Sequence, residues 1–151
     1  MSTVLVTGCA GFIGMHCTQA LLARGDTVVG IDNLNAYYDP ALKQARLARL
    51  QAQAGFTFER MDVADRAAMQ TLFARVRPQR VLHLAAQAGV RHSIDQPDDY
   101  TDSNLLGFAH VLQGCRAAQV AHLVFASSSS VYGGNARLPY RESDAVDHPI
   151  R

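Results

Sequence analysis

Three glycines spaced three apart, Gly8, Gly11 and Gly14, stand between a short apolar run and an amphipathic stretch, and that placement narrows what the chain can become. Thr3-Val4-Leu5-Val6 reads as a buried strand, and the residues after Gly11 open a helix. Gly8 then permits the tight turn out of the strand, Gly11 lets the backbone approach a pyrophosphate, and Gly14 brings the helix close to the sheet. Free N–H groups and the positive end of the helix dipole face the anion. The pattern predicts a phosphate-binding strand–loop–helix unit. Its spacing is GxxGxxG rather than GxGxxG.

A second signal lies one strand on. Thr27-Val28-Val29-Gly30-Ile31 reads as strand two and runs into Asp32. An acidic residue at that tip is placed to accept hydrogen bonds from an adenosine ribose diol. The same carboxylate repels a 2′-phosphate, and its neighbours Asn33 and Leu34 offer no compensating cation. NAD rather than NADP is the expected cofactor.

Composition excludes other classes. The 151 residues are expected to form one domain, 1–151, and a domain of that size buries roughly 68–70% of its unfolded surface. A net charge of +1, with both signs interspersed, gives no reason to expect a nucleic-acid or membrane partner. Cys9, Cys17 and Cys115 have no CxxC spacing, so neither a metal site nor a disulfide framework is expected. Cys9 reads as a small loop filler. Strand one begins within three residues of Met1 and no apolar run reaches membrane-spanning length, so the expectation is no signal peptide and a cytoplasmic protein.

Along the chain, residues 12–24 place Phe12, Ile13, Cys17, Ala20, Leu21 and Leu22 in helical spacing, ending at Arg24-Gly25. Asp39-Pro40 reads as an N-cap and first helical residue, starting a helix to about 52. Its expected inward face is Leu42, Ala45, Leu47 and Leu50, with Lys43, Arg46 and Arg49 wet. Phe56–Met61 reads as strand three, and Asp65 caps a helix over 65–76 with Met69, Leu72, Phe73 and Val76 inward. Strand four is 80–85, Pro97 opens a long helix to about 118, strand five is 122–126, and 134–151 reads as loop. Strands alternating with helices imply a parallel α/β doubly wound sheet, of Rossmann type, in the order 3-2-1-4-5. Its ligand crevice should lie between the ends of strands one and four.

With the glycine loop, Asp32, Asp62-Val63, His83-Leu84-Ala85-Ala86 and Ser129-Ser130-Val131-Tyr132-Gly133 in order, the chain resembles the extended short-chain dehydrogenase/reductase superfamily. Within it, the similarity is to the NAD-dependent epimerase/dehydratase group acting on nucleotide sugars. Asp32-Asn33-Leu34-Asn35, Tyr37-Tyr38-Asp39-Pro40-Ala41-Leu42-Lys43 and Ala86-Gln87-Ala88-Gly89-Val90-Arg91 look like the UDP-glucuronate 4-epimerase branch, although that branch often has tyrosine at the position of His92.

The resemblance implies roles. Gly8, Gly11, Phe12, Ile13 and Gly14 would wrap the NAD pyrophosphate; Asp32, Asn33 and Asn35 would hold the adenosine ribose; Asp62 and Val63 would flank adenine. Leu84, Ala85, Ala86 and Gln87 would line the path to the nicotinamide, with Asn104 beneath it. Ser128 aligns with the family's catalytic hydroxyl, Ser129 and Ser130 lie near a sugar carboxylate, and Arg91 is a candidate substrate-side cation. Serines after a strand also serve as turn formers, and a loop arginine is often simply solvated. His83 reads as a packed strand residue rather than a base.

One family element is missing. No tyrosine is followed four residues later by lysine, and Lys43 is the only lysine. The chain therefore reads as the N-terminal part of an epimerase, before the last strands and the substrate region, and inactive alone. Two other readings stay open: a 4,6-dehydratase or decarboxylase of the same superfamily, and a non-catalytic NAD-binding module. A UDP-sugar is the implied substrate of a full-length relative, and a homodimer through the helix at 97–118 is left open.

Overall fold

The computed structural model describes residues 1–135 and 137–147. Five strands, β1 (Thr3–Thr7), β2 (Thr27–Asp32), β3 (Phe56–Arg60), β4 (Arg80–His83) and β5 (His122–Phe125), form one parallel sheet in the order β3-β2-β1-β4-β5. The order reverses between β1 and β4, as the alternation of strands and helices predicts. β4 stops at His83, two residues short of expectation, because Leu84 N and Ala85 N turn to the Thr7 hydroxyl.

The period-two alternation of β1 feeds two cores. Leu5 joins Val29, Ile31 and Val81 against Val63, Met69, Leu72, Phe73 and Val111 on one face. Val4 and Val6 join Cys9 and Val28, backed by Leu21, Leu22, Phe56 and Phe58, on the other. Helices α1 (Phe12–Ala23) and α2 (Pro40–Gln51) each follow a strand of the β1–β2–β3 half. Helices α3 (Arg66–Val76) and α6 (Gly107–Ala117) supply Phe73 and Gly114, which meet so closely that a Cβ on Gly114 would fall into the Phe73 ring.

Caps sit where the sequence places them. Asp39 Oδ1 accepts from Ala41 N at 2.9 Å, and Asp65 Oδ1 accepts from Ala68 N at 3.0 Å. Arg77 ends α3 in the left-handed region at φ 44°, just before Pro78.

Three expectations are corrected. In α1 the buried residues are Gly14, Met15 and Thr18, while Phe12 and Ile13 are exposed at 66% and 60%. In α2 the buried residues are Lys43, Leu47 and Leu50, an i, i+4, i+7 stripe, and Leu42 and Ala45 face water. The long helix after Pro97 runs as α5 (Pro97–Tyr100), a π-helical turn (Thr101–Leu106) and α6, preceded by a short α4 (Val90–Asp95) that the sequence does not announce.

Beyond β5, Ser129–Tyr132 make a 3-10 turn, and no further helix or strand occurs among the described residues to 147. Position 136 and residues 148–151 of the expected loop, Pro149 among them, lie outside the described residues.

Candidate dinucleotide site

The cleft opens at the C-terminal edge of the sheet, where β1 and β4 diverge. Gly8, Gly11, Asp32, Asn33, Asn35, Asp62, Val63, Leu84, Ala85, Ala86 and Gln87 all line it. Eleven expected residues thus meet in one place.

The three glycines divide the labour. Gly8 has φ +70°, and a Cβ there would sit 2.8 Å from Ala85 N, so it closes β1 against the loop after β4. A Cβ on Gly14 would strike the Gly8 carbonyl oxygen and the Cys9 Cα, so the first turn of α1 is seated directly on the loop. A Cβ on Gly11 would meet only Gly8 O, at 3.1 Å, and would otherwise stand in open space. Gly11 is the N-cap of α1, no side chain caps that helix, and the first-turn N–H groups of Phe12 and Ile13 have no intrahelical acceptor. A helix start left open beside a glycine that lines the cleft fits a pyrophosphate.

Asp32 is the second fixed point. Its Oδ1 accepts from Leu34 N at 2.8 Å and from Lys43 Nζ at 3.3 Å, and its Oδ2 accepts from Ala10 N at 3.3 Å. Both side chains of the Asp32–Lys43 pair are under a tenth exposed. Lys43 also donates to Asn35 Oδ1 at 2.9 Å. This corrects the expectation that Lys43 is wet and that the carboxylate lacks a nearby cation. The α2 cap sets the helix phase that turns Lys43 inward, and the spacing Lys43, Leu47, Leu50 is the signal that marks it.

At the tips of β2 and β3 Asn33 Nδ2 donates to Asp62 Oδ2 at 2.9 Å, and Asp62 Oδ1 accepts from Ala64 N at 2.9 Å. Asn104 does not itself line the cleft but stands behind it, in a reciprocal pair with the Gln87 backbone: Gln87 N donates to Asn104 Oδ1 at 2.8 Å, and Asn104 Nδ2 donates to Gln87 O at 2.9 Å. Asn104 sits in the π-helical turn, a widening that often marks functional positions.

Thr7 is a structural residue the sequence reading passes over. Its Oγ1 accepts from Leu84 N at 3.1 Å and Ala85 N at 3.0 Å, so its own proton goes to His83 Nδ1 at 2.7 Å. Burial holds His83 down to about 4, and its ring stacks on Phe108. His83 lies between Thr7 and Phe108, the packing expected of a strand residue. Burial, with the Asp32 charge adding to it, pushes the Cys9 thiol up to about 12, so Cys9 is a filler. Ile31, Tyr37, Tyr38, Lys43, Met61 and Ser103 complete the cleft wall.

The remaining candidates stand apart from this lining. Phe12, Ile13 and Gly14 lie on α1 at the glycine loop. Arg91 is exposed on α4, with no hydrogen bond or ion pair among the described residues. Ser128 N-caps the 3-10 turn, its Oγ accepting from Ser130 N at 3.1 Å; Ser128, Ser129 and Ser130 are exposed. Among the described residues no cluster is placed to hold a metal, and no helix is long and apolar enough to cross a membrane.

Fold and cleft together define a Rossmann domain of the dinucleotide-binding kind. Residues 5–150 match the family model described as GDP-mannose 4,6 dehydratase. The chain is 53% identical over 146 residues to the "Uncharacterized 37.6 kDa protein in cld 5'region" of Escherichia coli O111:H-, covering 97% of this chain and 43% of that protein. It is 49% identical over 148 residues to UDP-glucuronate 4-epimerase 3 of Arabidopsis thaliana, covering 97% and 34% respectively. Among solved structures, UDP-glucuronic acid 4-epimerase from Bacillus cereus, in complex with UDP-glucuronic acid and NAD, superposes with a TM-score of 0.78 at 34% identity, over 89% of this chain and 43% of that one. This chain belongs to the GDP-mannose 4,6 dehydratase family, within the NAD-dependent epimerases and dehydratases. It spans less than half the length of these relatives.

Proposed function

We propose that this chain is the NAD-binding part of a nucleotide-sugar 4-epimerase that interconverts UDP-glucuronate and UDP-galacturonate through a 4-keto sugar. The observation that carries the reading is the meeting of the glycine cradle, Asp32 and the Leu84–Gln87 segment in one cleft. Identity to a protein named UDP-glucuronate 4-epimerase 3, and likeness to one solved with UDP-glucuronic acid and NAD, support the substrate class.

NAD, when bound, supplies the hydride acceptor and donor. The residues of this chain do the rest of their share by position. Gly11 and the α1 start take the pyrophosphate, and Asp32 takes the ribose diol. The Gln87–Asn104 pair stiffens the wall beside the nicotinamide end. Ser128 Oγ uses its acceptor capacity on Ser130 N and keeps its proton, which it offers to the sugar's 4-oxygen. Arg91, Ser129 and Ser130 are assigned to the substrate carboxylate. Neutral serines beside Ser128, where acid–base groups would serve water elimination, favour epimerisation over 4,6-dehydration.

No Tyr-x-x-x-Lys occurs in residues 1–151, so these residues alone should turn over negligibly while binding NAD. General acid–base assistance is worth about 10²–10⁴-fold. Calorimetric titration with NAD should give one site. A chimera, with these residues replacing the matching part of the Arabidopsis relative, should form UDP-galacturonate from UDP-glucuronate. No heat with NAD rejects the cofactor reading; NAD binding without 4-epimer in an otherwise folded chimera rejects the substrate reading.

A further inference from the structure

Two stretches of the cleft lining are held from behind by one helical run. The π-helical turn and α6 carry Asn104, Gly107 and His110 at intervals of three, which keeps them near one face. Asn104 takes the Gln87 backbone. A Cβ on Gly107 would stand 2.6 Å from Val63 Cγ2, so the helix seats directly on that side chain. His110 Nδ1 lies 3.0 Å from the Val63 carbonyl oxygen, and since a carbonyl can only accept, the ring carries a proton on Nδ1 and donates it. Val63 is 6% exposed, and its carbonyl accepts no other hydrogen bond among the described residues. Asp62 and Val63 both line the cleft, whereas His110 stands behind it.

We propose that His110 is a positioning residue for the base of the dinucleotide: by holding the Val63 carbonyl it fixes the Asp62–Val63 turn against which adenine is expected to lie. The inference rests on the dinucleotide reading above and extends it to base selectivity. The turn is fastened from within at Asp62, whose side chain accepts from Ala64 N and whose carbonyl accepts from Asp65 N. Val63 has no such internal tie. Without the ring N–H its carbonyl is left buried and unpaired, a state relieved only by rotating the peptide toward water. That rotation carries the Val63 side chain and the Asp62 carboxylate out of register with the cleft. An asparagine at 110 can replace the ring, because its Nδ2 stands as many bonds from the backbone as the histidine Nδ1 and also donates. Leucine fills similar space and donates nothing.

The test is calorimetric titration of NAD, ADP and inosine diphosphate into the unaltered chain, His110→Asn, His110→Leu and His110→Ala. Circular dichroism checks folding in each. Inosine diphosphate differs from ADP only in the base, so the ratio of the two affinities reads the wall that faces it. The donor-free variants should bind NAD and ADP about tenfold more weakly, which is about 1.4 kcal/mol, and their preference for ADP over inosine diphosphate should shrink. His110→Asn should keep both the affinity and the preference. Unchanged affinity in a folded donor-free variant overturns the inference, as does an equal loss in His110→Asn or a weaker variant whose base preference is intact. Failure of both donor-free variants to fold, with His110→Asn folded, makes the bond a requirement of the fold and overturns it too. An unaltered chain that takes up neither NAD nor ADP defeats the cofactor reading instead.

Discussion

Lys43 and Asp32 form an ion pair, Nζ to Oδ1 at 3.3 Å, in which both side chains are nearly closed off from water. Lys43 lies eleven positions after Asp32, beyond a helix start, yet the pair joins α2 to the tip of β2 at the point where the adenosine ribose is expected. A buried pair of this kind contributes little over an apolar replacement, but breaking it on one side leaves an uncompensated charge. Here the carboxylate keeps two backbone N–H donors, Leu34 and Ala10, which soften the loss.

Lys43→Met should therefore lower unfolding free energy by about 2 kcal/mol, below the roughly 3–5 kcal/mol of one-sided removal from a buried pair because those donors remain. The double variant with Asp32→Asn should be less destabilised than the sum of the two single changes. Urea denaturation of the four proteins gives the coupling directly. Additivity within a few tenths of a kcal/mol would mean that the pair carries no energy of its own.

Gly11 and Gly14 should fail in different ways. A Cβ on Gly14 collides with loop backbone, which cannot yield without moving α1, so Gly14→Ala should cost about 1–3 kcal/mol in stability and also impair binding. A Cβ on Gly11 meets one oxygen and then open cleft, so Gly11→Ala should keep its melting temperature within a few degrees and lose most NAD affinity. Thermal melts paired with NAD titration separate the two. Equal melting losses would refute the division of roles.

The sequence made the sheet legible because each level agreed. Apolar strands, a positive-φ glycine after β1, and Asp caps at 39 and 65 all point to alternating β and α, and the 3-2-1-4-5 order follows from right-handed crossovers. The cleft followed from the same logic. What stayed hidden depends on helix rotation. Leu42 and Lys43 are adjacent, and a count of apolar residues turns Leu42 inward, whereas the partner waiting at Asp32 turns Lys43 inward instead. Asn104 is legible as a family position, but its geometry depends on a π-helical turn that no local propensity announces. Thr7 escaped notice because a hydroxyl at a strand end reads as an ordinary β-former, and its three partners come from the end of β4 and the loop after it, some eighty residues later.

His83 sets an acid limit on stability. Its folded value of about 4 lies below the ordinary 6.5, so between those values the unfolded chain binds more protons than the folded one, and stability falls as pH is lowered. The contribution is fully present above the unfolded value and is lost as pH drops from about 6.5 toward 4. Between pH 7 and pH 5 that is about 2 kcal/mol for a single group shifted this far. Asp26, held down to about 2 by Arg24 and Ser2, adds a further loss of stability below its ordinary value of 3.8. Urea midpoints across pH 5 to 7 should slope for the unaltered chain and flatten in His83→Gln, which cannot titrate. An unchanged slope in that variant would move the acid sensitivity elsewhere.

Asn104 should matter to binding beyond its weight in stability. Its amide satisfies both backbone groups of Gln87, one of the residues lining the cleft. Asn104→Ala leaves a half-buried N–H and C=O without partners, a cost of about 1–3 kcal/mol. Asn104→Asp keeps the acceptor for Gln87 N but sets an oxygen against the Gln87 carbonyl where a donor stood, so the loop is pulled at one end and pushed at the other. Both variants should weaken NAD affinity, and Asn104→Asp should recover part of it at low pH, when its carboxyl carries a proton and can donate again. Calorimetric NAD titrations of the two variants at pH 7 and near pH 5 carry the test. Equal affinity in Asn104→Asp at both pH values would mean that the Gln87 carbonyl does not need its donor, and that the wall is held by Asn104 Oδ1 alone.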